Sequence, residues 1–330
     1  MQANFGISLL LLTLVSIHTT FQLSIPSDAI KSENLIPKIS MQDLQSIVKK
    51  SLDGVNFSSF ENLKDAGGNF GVLEISRLGN QYENALTVLQ NNAASCINNS
   101  SDSRIPPGIA LPDGSYRKTY ATTNKTYLDC LDMDLLSQTF DEIESAIMEV
   151  IMIFGEHYFD ELELQCSQIA YQVDGTRKSI ANAIEKEHIH VYSKKEQSND
   201  LSSDTDSIQS MVPFHTDNGL FLIITPFQEH GMNVKLSDGS IVSTNNLGSD
   251  SALVLIGKGL TDWLLSPNIA SSRHIFAVPH SVPTLTGTGI ESRTVYARMK
   301  IPQRSATSAM AGCQDFDGTE KIFEDFFLDR

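Results

Sequence analysis

The chain has 330 residues, of which 41% are apolar and 19% charged, the composition of a folded protein with room for a sizeable core. Its formal net charge is −16. Such a body repels phosphate backbones and anionic lipid, which speaks against a nucleic-acid or membrane-surface role.

The first feature in chain order is an apolar run, Ile7 to Ile17, of about 11 residues. That is the length of a signal-peptide core and too short to span a bilayer. Small and polar residues follow at Thr19 and Thr20, although no Lys or Arg precedes Lys31. The expectation is a signal peptide over residues 1–22, with a buried N-terminal element as the alternative. Two observations agree with secretion. Candidate N-glycosylation sequons begin at Asn56, Asn98, Asn99 and Asn124. The cysteines are four, Cys96, Cys130, Cys166 and Cys313, with no CxxC pair. An even set of this kind fits disulfides in an oxidising compartment, and three pairings are open. The expected location is the secretory pathway, either extracellular or a vacuolar or lysosomal lumen.

Residues 23–35 read as a linker. Ile36 to Ser40 reads as a short strand entering a helix, with Ser40 and Asp43 as a cap and Leu44, Ile47 and Val48 as its apolar face. A glycine turn precedes a strand through Phe70, Val72 and Leu73. Residues 91–126 are rich in Asn, Ser and Thr and are expected to form an exposed loop. From Leu135 to Leu164 a helical stripe recurs through Phe140, Ile143, Ile147, Val150, Ile151 and Phe154. The second half changes period. Short β-rich segments at 220–224, 232–236, 252–256, 274–278 and 294–301 alternate with Gly, Asn, Ser and Pro, which predicts an antiparallel sandwich or barrel. An acidic, Ser-rich insert lies between Tyr192 and Met211, and a polar, acidic tail follows Pro302.

The chemistry concentrates in the run from Pro213 to Leu220. In a strand, residues two apart share a face, so His215 and Asp217 would aim an imidazole and a carboxylate at one point. With one distant His they would form the facial triad of non-haem iron sites. The candidates for that His are His230, His274 and His280; His230 sits in a turn. Arg293 is placed to hold a carboxylate through a bidentate pair. The other reading of His215 and Asp217 is a surface turn, and of Arg293 an exposed strand residue.

These residues resemble the plant-type 2-oxoglutarate and iron(II)-dependent dioxygenases, which include isopenicillin N synthase. His215 to Leu220 matches that family's His-Thr-Asp-x-Gly-Leu segment. Gly231 to Val234, Asp238-Gly239 and Ala252 to Gly257 resemble its next two strands and turn. Ala277 to Val282 resembles the surroundings of its distal His, which favours His280 over His274. Arg293 and Pro302 keep the spacing of its Arg-x-Ser and Pro. Upstream, Ile36 to Ile39, Gly68 to Val72 and His190 to Ser193 also match, so the likeness covers roughly residues 35 to 302.

The resemblance implies a mostly β fold with flanking helices, with a double-stranded β-helix (jelly-roll) core and an N-terminal α/β region. On this reading residues 35–185 are the helical α/β region, 186–302 the jelly roll and 303–330 a tail. It implies Fe(II) on His215, Asp217 and His280. The co-substrate 2-oxoglutarate would rest on Arg293 and Tyr192, with ascorbate as a candidate accessory. The implied reaction is hydroxylation or desaturation of a small organic substrate by dioxygen, with release of succinate and CO2. Neither nucleic acid nor a stable membrane anchor is implied as a partner. Val295 stands where the family has the Ser of Arg-x-Ser, which removes one hydroxyl from the carboxylate clamp. An oxidase of the same fold that does not consume 2-oxoglutarate, or a non-catalytic secreted binding protein, are the alternatives.

Overall fold

The computed structural model describes residues 36–52, 71–111, 116–166, 183–193, 217, 219–227, 232–235, 241–257, 259–260, 280–283 and 292–301; within these, the side chains of 50–52, 152–166, 245 and 280–283 are not described. The elements run β1 (Lys38–Ser40), α1 (Met41–Leu52), β2 (Val72–Ser76), α2 (Asn80–Asn99), β3 (Ile109–Ala110), β4 (Tyr116–Thr122), α3 (Asp134–Cys166) and β5 (Ile184–Ser193). After these come β6 (Phe221–Ile224), β7 (Met232–Lys235), β8 (Ile241–Ser243), β9 (Ala252–Ile256), β10 (His280–Pro283) and β11 (Ser292–Ile301).

Local chemistry accounts for the first elements. The Ser40 hydroxyl accepts a hydrogen bond from the Asp43 amide at 3.1 Å and donates one to the Asp43 carboxylate, closing the expected cap of α1. Leu44 is fully buried, and Ile47 and Val48 pack against the core. In α3, Phe140, Ile143, Ile147, Val150 and Ile151 form a buried stripe, as the spacing predicts; the Phe154 side chain is outside the described residues.

Residues 91–126 are not one loop. Their first nine residues finish α2, and β4 occupies residues 116–122. The Asn and Ser residues of α2 lie mostly on its exposed side. Leu86, Leu89, Ala93, Cys96 and Ile97, three or four apart, face the core. In β4 the sequence Tyr-Arg-Lys-Thr-Tyr-Ala-Thr has the aromatic and β-branched content of a strand. Composition described the solvent side of this region and hid its periodicity.

Two sheets face each other. Eight strands form one sheet in the order β1-β2-β9-β6-β11-β5-β4-β3, and three form the other in the order β10-β7-β8. Val72, Leu222, Leu253, Leu255, Val295 and Ala297 of the large sheet form one cluster with Met232, Val234 and Val242 of the small one. This is the inner layer of a jelly-roll core, as expected. On the other face of the large sheet, Ile75, Tyr120, Ile189, Phe221, Ile223, Val254 and Tyr296 join the buried faces of the helices in a second cluster.

That outer layer also carries charge. The buried guanidinium of Arg298 meets Glu187 at 2.6 Å and donates to the Ser137 carbonyl and hydroxyl at 3.0 and 2.9 Å. Glu187 also accepts from the hydroxyls of Tyr296, at 2.8 Å, and Tyr127. Lys300 pairs with Glu144 at 2.5 Å and Glu185 at 3.2 Å. Phe140 of α3 stacks on Tyr296 with ring centroids 4.6 Å apart. Buried ions are tolerable only when every one is answered, and removing a single partner costs several kcal/mol. Glu187→Ala therefore strands the Arg298 charge, and a loss of about 3–5 kcal/mol is expected in urea unfolding.

Candidate functional site

β11 and β5 pair antiparallel with Arg293 opposite Tyr192, and β5 and β4 pair with Tyr192 opposite Arg117. Directly opposed residues of antiparallel strands share a face. Arg293, Tyr192 and Arg117 therefore form one row across three strands. Val295, two residues beyond Arg293, belongs to the cluster between the sheets, so this row faces the barrel interior. Arg293 is 2% exposed and Tyr192 4%. The alternative reading of Arg293 as an exposed strand residue does not hold. The next rows inward are Val295, His190 and Thr119, then Ala297, His188 and Ala121.

Tyr192 is the hub of this wall. It takes a hydrogen bond from the Arg117 guanidinium, and its ring lies 6.3 Å from Phe227 and 6.1 Å from His190. Burial pushes its phenol above the ordinary value; the Arg117 charge opposes that shift and the charge of Asp217 adds to it. Asp217 is thus close enough to act electrostatically on the same hydroxyl that Arg117 contacts.

Asp217 itself is half-buried and lies in the turn before β6, rather than in a strand. That turn is held from two sides. The Leu220 amide donates to the Lys300 carbonyl at 2.7 Å, and the amides of Gly257 and Gly259 donate to the carbonyls of Leu220 and Gly219 at 3.0 and 2.9 Å. A methyl group on Gly257 would stand 2.1 Å from the Gly219 carbonyl oxygen and 2.9 Å from that of Asp217. Only glycine lets the end of β9 approach the Asp217 turn so closely.

His215 is outside the described residues. His280 opens β10, in register with Lys235 of β7, and its side chain is not described. Among the described residues no group of three His, Cys, Asp or Glu side chains is positioned to hold a metal ion. His274, His230, Asn56 and Cys313 fall outside the described residues, as do the 1–22 segment, the linker, the acidic insert and the tail; Cys166 ends α3 with its side chain not described. Asn98, Asn99 and Asn124 are exposed. Cys96 and Cys130 form a disulfide with Cα atoms 5.8 Å apart, which ties α2 to the segment before α3.

Three inward-facing polar residues were not anticipated as site residues: Arg117, Thr119 and His188. The signal was the alternation of polar residues at 117 and 119 and at 188, 190 and 192. His190 and His188 stack with centroids 5.4 Å apart, and Thr119 Oγ1 lies 2.8 Å from His190 Nδ1. Both rings keep some solvent access but sit deep in the wall. Burial, helped by nearby Lys186 and Arg117, pulls His188 down to about 4; burial with His188 and Arg117 holds His190 well below the usual range. They are neutral hydrogen-bonding groups at neutral pH.

No family model and no curated protein matches the chain. Solved structures share its fold. A protein of Shewanella oneidensis assigned as an oxygenase superposes with a TM-score of 0.60 at 13% identity, over 88% of this chain and 98% of its own. A full-length Neurospora crassa protein in complex with α-ketoglutarate (2-oxoglutarate) superposes with a TM-score of 0.55 at 11% identity, over 84% and 88%. A Caulobacter crescentus protein assigned to the 2OG-Fe(II) oxygenase family gives 0.53 at 8% identity, over 88% and 98%. The chain therefore has the jelly-roll fold of the 2-oxoglutarate/Fe(II) oxygenases.

Two expectations follow. Gly257→Ala drives a methyl group into the Asp217 turn and should cost about 1–3 kcal/mol in urea unfolding, as overpacking does. The histidines give a pH dependence. Their folded-state pKa values are lowered, so the unfolded chain takes up protons first as pH falls. Their contribution is complete above about 6.5 and is lost on acidification towards about 4. Unfolding at stepped pH should show that loss, and His188→Gln/His190→Gln should flatten it.

Proposed function

We propose that this protein is a secreted or luminal Fe(II)- and 2-oxoglutarate-dependent oxygenase acting on a small organic molecule. The observation that carries the reading is the inward row of Arg293 and Tyr192, with Asp217 near enough to act on the same phenol. The donor set fits the two groups that the fold family holds. A buried guanidinium beside a phenol suits a carboxylate, and the Nε of Arg117, buried in the same wall, makes no hydrogen bond among the described residues. Asp217 supplies a carboxylate of the kind that a 2-His-1-carboxylate iron site requires, and His215 and His280 are the histidines assigned to complete it.

Bound there, Fe(II) supplies dioxygen chemistry coupled to decarboxylation of 2-oxoglutarate to succinate. The protein supplies placement. Arg293 and Tyr192 hold the distal carboxylate of the co-substrate through charge-assisted hydrogen bonds. Leu222, Leu255, Val295 and Ala297 line the remaining wall with apolar surface and keep water away. The Neurospora protein of the same fold, solved with α-ketoglutarate, supports the co-substrate. Passage through the secretory pathway is supported by the Cys96–Cys130 disulfide and by the exposure of Asn98, Asn99 and Asn124.

Anaerobic addition of Fe(II) and then 2-oxoglutarate to the purified protein should produce a weak visible charge-transfer band. Asp217→Ala should abolish the band, and Arg293→Met should raise the 2-oxoglutarate concentration needed by about 100-fold, the worth of a charge-assisted bidentate contact. Iron binding with no band would favour the oxidase that does not use 2-oxoglutarate, the reading that Val295 motivates. No iron binding would favour a binding protein.

A further inference from the structure

The registers place a second arginine in the carboxylate pocket. Arg117 of β4 and Arg293 of β11 stand directly opposite Tyr192 from its two sides. Adjacent strands are about 4.8 Å apart, so the two arginines start about 10 Å apart with the tyrosine between them. Their long side chains cover that gap. The Arg117 guanidinium already reaches the Tyr192 hydroxyl. Its Nε is buried without a hydrogen bond among the described residues. A buried N–H without an acceptor is costly, so a ligand that answers it gains affinity. The neighbouring inward hydroxyl on β4, Thr119, is engaged with His190. On β11 the residue two beyond Arg293 is Val295, which offers no hydrogen bond.

We infer that Arg117 is a carboxylate-binding residue, and that the pocket is a clamp of two guanidiniums around Tyr192 which selects a co-substrate with a distal carboxylate. This rests on the 2-oxoglutarate reading above. Arg293 and Arg117 approach one carboxylate from opposite sides, and Tyr192 donates between them. Arg117 thereby supplies from β4 the donor that β11 lacks at Val295.

Calorimetric titration of the Mn(II)-loaded protein tests this without turnover. The probes are 2-oxoglutarate and 2-oxobutyrate, which shares the chelating 2-oxo acid and lacks the distal carboxylate. Arg117→Gln should weaken 2-oxoglutarate by about 10- to 100-fold and leave 2-oxobutyrate unchanged. Arg117→Met, close in length and uncharged, should do the same, and thermal melting reports whether each variant folds. Unchanged 2-oxoglutarate affinity in either folded variant overturns the role of Arg117 and leaves the co-substrate assignment standing. Equal losses for both probes also overturn it, since they mark a general disturbance of the wall. If the unaltered protein does not prefer 2-oxoglutarate over 2-oxobutyrate, the 2-oxoglutarate reading itself falls, and this inference with it.

Discussion

The ten-residue register between β11 and β5 decides which charges enter the barrel and which stay against the helices. Along β11 the odd-numbered residues Arg293, Val295, Ala297 and Met299 face inward, while Thr294, Tyr296, Arg298 and Lys300 face the helix side of the sheet, where the last three meet α3. A slip of one residue would exchange the two sets. Arg298 and Lys300 would then enter an apolar interior, and Arg293 would leave the pocket. The register is held by charge as well as by backbone bonds. Arg298 stands opposite Glu187 and Lys300 opposite Glu185, and both pairs also form ion pairs. The outer network thus fixes the position of residues on the opposite face of the sheet.

The interior of the barrel is divided. Its β6, β9 and β11 side is apolar through Leu222, Leu253, Leu255, Val295 and Ala297. Its β4 and β5 side carries Arg117, Thr119, His188, His190 and Tyr192. Burial keeps the two histidines neutral, so the charge on that wall comes from Arg117 and Arg293 at one end and from Lys186, opposite Met299, at the other. A wall built this way places two guanidiniums beside Tyr192 and neutral imidazoles next along the strand. It suits a ligand with an anionic end and a less polar body. The Asp217 turn, held by Gly257 and by the Lys300 carbonyl, brings an acidic group to the same space.

Much of this was legible in the sequence. The long apolar stripe of α3 follows from its helical period, and the segments at 221–224, 232–235 and 252–256 from short apolar runs bounded by turn residues, which suit strands buried on both faces. Arg293 and Tyr192 were singled out through their likeness to a family motif, and the structure buries both in one row. Arg117 and His188 were missed. Their place on the inward face depends on β4 lying beside β5 and on the register between them, which is a long-range property that no local pattern carries. The Asn- and Ser-rich run from 91 misled for a related reason. Its polar residues lie on the exposed side of α2, while the apolar residues that make it a helix are fewer and spaced three or four apart.

In the proposed function the inward row on β11, β5 and β4 binds the distal carboxylate of a chelating dicarboxylate. The most direct measurement is a crystal structure of the protein with Mn(II) and 2-oxoglutarate. The expected result is the distal carboxylate within hydrogen-bonding distance of the Arg293 guanidinium and the Tyr192 hydroxyl, with Asp217 among the metal's ligands. A dicarboxylate bound away from Arg293, or a metal that leaves Asp217 free, would contradict it.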